Sequence, residues 1–165
     1  MVAFRRLEDA NVKSKCVLVR VDFNVPCHED GTIADDTRMQ AALPTIRYLQ
    51  KHGAKTILLS HFGRPGGQVV PEMSMAKLAP HLSTLLGTPV GFASDCIGEA
   101  AQSQIDQMRE GDVLLLENTR FYKGETQKPG GEKGYDPAFA KALAALGDVF
   151  VHDAFSVAHR AQGST

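Results

Sequence analysis

Polar residues that could hold a small charged substrate recur just beyond short apolar runs. Asp22 and Asn24 follow one run, His61 and Arg64 a second, Asn118 and Arg120 a third, and Asp153, His159 and Arg160 a fourth. Arg38 joins them. It lies two residues after Asp36 in what should be the first turn of a helix, where the macrodipole favours acids over cations, so it is expected to act elsewhere. Four arginines and a histidine converging on one crevice describe a site for a small, multiply charged anion. Phosphate and carboxylate are the matching groups, since guanidinium forks bind both bidentately.

Taken singly, each residue has a plainer reading. Asp22 and Asn24 before Val25-Pro26 suit a turn. Arg20 reads as a structural residue paired with a carboxylate, and His61 as a satisfied core or capping histidine. Arg64 and Arg120 would be ordinary solvated arginines. Convergence at one end of a sheet is what makes them a site.

The elements that would produce that convergence are five apolar runs, read as strands: Cys16 to Val25, Thr56 to His61, Val90 to Ser94, Val113 to Glu117 and Val149 to His152. Four are continuous rather than alternating, as in a parallel sheet covered on both faces. Helical patterns lie between them. Asp36 to His52 carries Met39, Leu43, Ile46 and Leu49 on one face and stops at Gly53, with Pro44 expected to kink it or to start its regular part. Ser74 to Leu86, Ile97 to Met108 and Ala138 to Leu146 follow, the last capped by Asp136-Pro137. The alternation predicts a three-layer α/β/α fold with a mostly parallel, Rossmann-like sheet and a ligand crevice at the strands' carboxyl ends. Gly63 to Val70 and Phe121 to Tyr135, rich in Gly, Lys and Pro, read as loops. The second reads as a mobile surface excursion near the site or a solvated insertion with no role.

Composition agrees with one globular domain. The chain has 165 residues, 43% apolar and 22% charged, and 18 Lys+Arg against 19 Asp+Glu give a net charge of −1. Such a chain has no global attraction to nucleic acid, and its anion must be held by locally gathered cations. Cys16, Cys27 and Cys96 form neither a disulfide framework nor a zinc pattern, which suits a reducing cytoplasm. Met1–Asp9 shows no apolar run and no stretch has the length of a membrane span, so neither export nor anchoring is expected. His28, His52 and His81 read as structural or surface residues. The P-loop, dinucleotide-fingerprint, nucleophile-elbow and metalloprotease patterns are all missing, and no carboxylate cluster has metal spacing. An anion site is legible; a nucleotide site is not.

The stretch Val17-Leu-Val-Arg20-Val-Asp22-Phe-Asn24-Val-Pro26 resembles the signature of the phosphoglycerate kinase family. Asp35-Asp-Thr-Arg38, Ala42-Leu-Pro-Thr-Ile46, Leu58-Leu-Ser-His61-Phe-Gly-Arg64-Pro65, Asp95-Cys-Ile-Gly98, Leu114-Leu-Leu-Glu-Asn118-Thr-Arg120-Phe121 and Asp153-Ala-Phe155 with Ala158-His-Arg160 follow in the family's order. The resemblance covers essentially the whole chain. It implies that residues 1–165 are the N-terminal, 3-phosphoglycerate-binding domain of a two-domain kinase. The nucleotide-binding domain, with Mg2+ and ATP or ADP, would lie outside them, so this piece alone would bind substrate without turning it over.

Carried over by position, the family's substrate ligands fall on Asp22, Asn24, Arg38, His61, Arg64, Arg120 and Arg160, with Phe23, Phe62 and Gly63 in the same motifs. Asp22 and Asn24 would meet the hydroxyl and carboxyl end, and His61, Arg64, Arg120 and Arg160 the phosphate. Arg38 would be the catalytic residue, facing the phosphoryl group passed between 1,3-bisphosphoglycerate and ADP. The whole protein would be a monomeric, cytoplasmic glycolytic enzyme with no nucleic-acid or membrane partner. Ser156, Gln162 and Gly163 depart from the family's usual Gly, His and Ala, and the 121–136 loop is longer than usual. A stand-alone anion-binding module is the alternative, and a sugar-phosphate isomerase a further one. The isomerase would need a general base among Asp22, Asp153 and His61.

Overall fold

The computed structural model describes residues 5–165, so the first four residues of the stretch read for an export signal lie outside it. Five strands, β1 (Cys16–Val21), β2 (Lys55–Leu59), β3 (Val90–Ala93), β4 (Val113–Leu116) and β5 (Val149–Asp153), form one sheet in the order β3-β4-β2-β1-β5. Every pairing is parallel, with Val19 of β1 opposite Leu58 of β2 on one side and Val151 of β5 on the other. All five carboxyl ends therefore open on one edge.

Four helices cover the sheet: α1 (Thr37–Lys51), α2 (Leu78–Leu86), α3 (Gly98–Asp106) and α4 (Pro137–Ala144). The side chains of a strand alternate between faces, and so divide the core in two. Val17, Val19, Val21, Leu58 and Leu115 pack with Met39, Ile46 and Leu49 of α1 and Leu78 and Leu82 of α2. Leu18, Ile57, Leu59, Leu114 and Leu116 pack on the opposite face with Ala101 and Ile105 of α3 and Phe139 and Leu143 of α4. Among the described residues no helix is long and apolar enough to cross a membrane.

Several boundaries differ from the sequence reading. β1 ends at Val21, because Asp22 turns to accept the backbone N–H of Asn24 and Phe23 donates its own N–H to Ser60 Oγ. Ser60 and His61 likewise lie past the end of β2. α1 runs unbroken through Pro44, so its regular part does not begin there. The N-cap position is Asp36, whose carboxylate accepts from Gln40 and His81 at 2.6 and 2.7 Å rather than capping the backbone. Ser74 opens a 3-10 turn (Met75–Lys77) leading into α2. β5, an edge strand, is covered on neither face as fully as β1 or β4, and Phe150 stays about half exposed. The 121–135 segment starts as 3-10 turns packed on the sheet edge, with Glu125 fully buried, so its first third is neither mobile excursion nor solvated insertion.

Candidate anion-binding site at the carboxyl edge

Asp22 is the first residue beyond β1. Its Oδ2 receives Arg38 Nη1 at 2.8 Å and the Ser156 hydroxyl, and its Oδ1 receives the N–H of Asn24. Burial works to raise the Asp22 carboxyl, but the hydrogen bonds from Ser156 and Asn24 and the charge of Arg38 outweigh it and hold the group below its ordinary value. Arg38, in the first turn of α1, also donates to Asn24 O at 3.3 Å, and half its side chain is exposed. The cation that the helix dipole disfavours is thus anchored across the crevice, with donors to spare.

Asn24 passes the order on to the loop after β2. Its Oδ1 accepts from Gly63 N at 2.9 Å, and Gly63 O accepts from Arg120 Nη1 at 2.8 Å. Gly63 has φ +62, and a Cβ there would stand 2.9 Å from Met73 Sδ, so this link needs glycine. Asn118 clamps the same loop: its Nδ2 donates to Phe62 O and Met73 O, and its Oδ1 accepts from Phe62 N and Arg120 N. Four hydrogen bonds on one buried amide make Asn118 a scaffold residue rather than a ligand. Gly67 closes the loop, its N–H donating to Arg120 O at 3.1 Å where a Cβ would meet Lys123 at 2.3 Å.

These contacts bring Arg64, Arg120 and Arg160 round a pocket of about 210 Å³, floored by Gly66, Gly67 and Thr126. Arg64 and Arg160 are exposed and Arg120 half-buried. Burial pulls the Arg120 guanidinium below its ordinary value, Glu125 works against this, and Arg160 and Arg64 add to the lowering. Arg120 Nε is buried without a partner among the described residues. Three mutually repelling cations around one hollow are stabilised by an anion between them.

His61 is almost completely buried, at 5% exposure. Its Nδ1 lies 2.9 Å from Arg20 Nη2. Burial first, then Arg20 and Arg120, push the imidazole down to about 3, with Asp22 opposing. It is therefore a neutral ring beside the arginines rather than a further cation. Arg20, fully buried in β1, donates also to Ser164 Oγ at 2.9 Å and to Val21 O. Ser164 in turn donates to the buried Glu125 through both N–H and hydroxyl. The expected carboxylate partner of Arg20 is reached only through that serine.

Not every candidate contributes a free group. Phe23 is wholly buried in the core, its N–H taken by Ser60. Phe62 is buried, with both backbone groups held by Asn118 and Lys77 Nζ 4.3 Å over its ring. Both shape the wall and expose no donor to a ligand. His159 is exposed outside the arginine pocket, and Asp153, raised by burial, ends β5. Arg20, Glu125 and Ser156 are the site residues that sequence reasoning passed over or set aside, while Asn118, singled out there as a candidate ligand, is a scaffold residue.

An all-parallel five-stranded sheet with helices on both faces makes this an α/β domain, with an arginine cluster at its carboxyl edge. Its sequence model places it further: that of phosphoglycerate kinase matches residues 7–165. The chain belongs to the phosphoglycerate kinase family. It is 55% identical over 164 residues to the phosphoglycerate kinase of Caulobacter vibrioides, covering 99% of this chain and 39% of that protein. It is 53% identical over 166 residues to that of Mesorhizobium japonicum, covering 100% and 40%. Among solved structures, phosphoglycerate kinase from Pyrococcus horikoshii superposes with a TM-score of 0.83 at 38% identity, over 98% of this chain and 39% of that one. The enzyme from Coxiella burnetii gives the same TM-score at 37% identity, over 99% and 38%. The chain thus spans about two fifths of the length of these relatives.

Proposed function

We propose that residues 1–165 form the domain that binds 3-phosphoglycerate and 1,3-bisphosphoglycerate in a phosphoglycerate kinase, and that the whole protein moves a phosphoryl group reversibly between 1,3-bisphosphoglycerate and ADP. One observation carries this reading: the hollow walled by Arg64, Arg120 and Arg160, beside a neutral His61 and across from the Arg38–Asp22 pair. The three arginines and His61 take the phosphate of the substrate. Asp22 and Asn24 take its hydroxyl and carboxyl end. Arg38, with donors left over, faces the phosphoryl group in flight. Such transfer asks the protein for alignment and charge stabilisation rather than covalent chemistry. An isomerase fits less well, since the Asp22 carboxylate is held below its ordinary value and engaged by Arg38, Ser156 and Asn24, which makes it a weak base, and His61 has its Nδ1 turned to a guanidinium.

Magnesium and the nucleotide belong, in this reading, to a second domain, and turnover requires it. The described residues gather no three His, Cys, Asp or Glu side chains able to hold a metal ion, and the chemistry assigned to them is binding and orienting the acid. The whole enzyme is read as monomeric and cytoplasmic, without nucleic-acid or membrane partners.

Each charge-assisted pair to phosphate contributes ~1.5–3 kcal/mol, offset by the cost of association, so the chain itself should bind 3-phosphoglycerate with millimolar affinity or better. NMR titration with 3-phosphoglycerate, 2-phosphoglycolate and inorganic phosphate tests this. Amides of His61, Arg64 and Arg120 should move, most tightly with 3-phosphoglycerate. Unmoved amides at saturating ligand, or equal affinity for inorganic phosphate, would overturn it.

A further inference from the structure

Arg20 is an unusual residue to find buried in an interior strand of a parallel sheet. It is fully buried in β1, between strands β2 and β5, and a guanidinium placed there must spend its donors on nearby acceptors. Its Nε donates to Ser164 Oγ and one Nη to Val21 O. The remaining Nη2 lies 2.9 Å from Nδ1 of His61. Arginine has no acceptor and keeps its proton under all ordinary conditions. The nitrogen facing it can therefore only be a lone pair. An imidazole that accepts at Nδ1 carries its single hydrogen on Nε2.

From this geometry we infer that Arg20 is a positioning residue for the acid site: it holds His61 as the neutral Nε2–H tautomer and turns that one N–H into an oriented donor for the bound acid. The inference rests on the function proposed above. Among the described residues the His61 ring makes its hydrogen bond at Nδ1, and Nε2 is not one of the buried side-chain atoms left without a partner, so this nitrogen lies on the accessible side of a nearly buried ring, where a ligand can reach it. Ring orientation is over-determined, because the neighbouring backbone is also held: Ser60 Oγ donates to His61 O at 3.2 Å and accepts the N–H of Phe23. Arg20, Arg120, Arg160 and Asp22 are the charged groups that bear on the ring. Three of the four are cations, which oppose imidazolium. A neutral donor also suits a site already rich in arginine: it adds a hydrogen bond to the anion without adding a charge that would repel the arginines when the site is empty.

The tautomer is measurable by long-range 1H–15N correlation of the imidazole in the free protein. Nδ1 should show the shift of an unprotonated nitrogen and Nε2 that of a protonated one, unchanged from pH 8 to about pH 5. A protonated Nδ1, or an imidazolium in that range, would overturn the inference without any variant being made. Addition of 3-phosphoglycerate should then move the Nε2–H resonance and leave Nδ1 unprotonated. In Arg20→Gln, whose amide can donate or accept, the ring should lose its single tautomer, and affinity for 3-phosphoglycerate should fall about tenfold or more, the worth of one charge-assisted hydrogen bond. Retention of both tautomer and affinity in Arg20→Gln would overturn the positioning role. Failure of the unaltered protein to bind 3-phosphoglycerate would instead sink the functional reading, and the free-state tautomer would show this separately.

Discussion

Arginine serves two opposite purposes within one site. Arg20 lies in the dry interior with its guanidinium committed to Ser164, Val21 and His61, while Arg38, Arg64 and Arg160 stand on the crevice rim and keep donors open to solvent. Arg120 is intermediate, tied to Gly63 O but with its Nε unpartnered among the described residues. The difference lies in where the free energy is held. A satisfied buried arginine contributes to the shape of the site, and an unsatisfied rim arginine contributes to whatever anion arrives.

The sharpest way to break that comparison is truncation. Arg20→Ala leaves the buried Glu125 without the cation that offsets its burial and leaves Ser164 and His61 without a donor, so a loss of about 3–5 kcal/mol of stability is expected. Arg64→Ala and Arg160→Ala, at exposed positions, should stay within about 0.5 kcal/mol. Urea melts of the three variants would show it, and equal losses would erase the distinction.

Within the rim, catalytic and binding arginines should separate next. In the whole enzyme Arg38→Ala should lower kcat by roughly 100-fold or more with little change in substrate affinity, because a group that meets charge mainly in the transition state appears in kcat. Arg64→Ala or Arg120→Ala should instead weaken 3-phosphoglycerate by about tenfold with kcat largely kept. Steady-state kinetics distinguish the two, and matching profiles for all three would refute the assignment of Arg38.

The smallest effect is a pH slope. His61, held at about 3 in the folded protein against about 6.5 unfolded, binds its proton only on unfolding between those values. The stability it contributes is complete above about pH 6.5 and declines on acidification at up to roughly 1.4 kcal/mol per pH unit. His61→Gln should remove close to one proton from the linkage between pH 4 and 6, measured by denaturant midpoints against pH. An unchanged slope would mean that the ring is not kept neutral.

The fold was largely legible because apolar runs and helical stripes are local signals. The five strands, the helices between them and the parallel sheet follow from them, whereas the order β3-β4-β2-β1-β5 does not, and element ends shifted, as at Asp22, where a side chain turns back to hydrogen-bond the chain. The rim residues were legible for a related reason: polar groups just past a parallel strand converge whatever their partners. The interior network was not. Arg20 was expected to meet a carboxylate, but its side-chain partners are a hydroxyl 144 residues later and an imidazole 41 residues later. Glu125, flanked by Lys123, Gly124 and Thr126, has the local composition of a solvated loop, and only Ser164 and Thr119 reveal why it is buried. Phe23 and Phe62 share motifs with the ligands yet face the core, which spacing along a turn does not disclose.

The pairing of β1 with β5 carries a consequence for the order in which the protein can be made. Emerging from the ribosome, the chain has β1, β2, β3 and β4 available long before Val149–Asp153, so the interior strand β1 waits with one edge open while more than a hundred residues are added. Ser164 comes later still. Until it arrives Arg20 lacks one acceptor and Glu125 two of its donors, and closing so distant a contact is slow compared with helix formation. A nascent chain can therefore hold much of the sheet before Ser164 joins Arg20 to Glu125, and the buried network beneath the carboxyl edge closes only once the residues around Ser164 have been added.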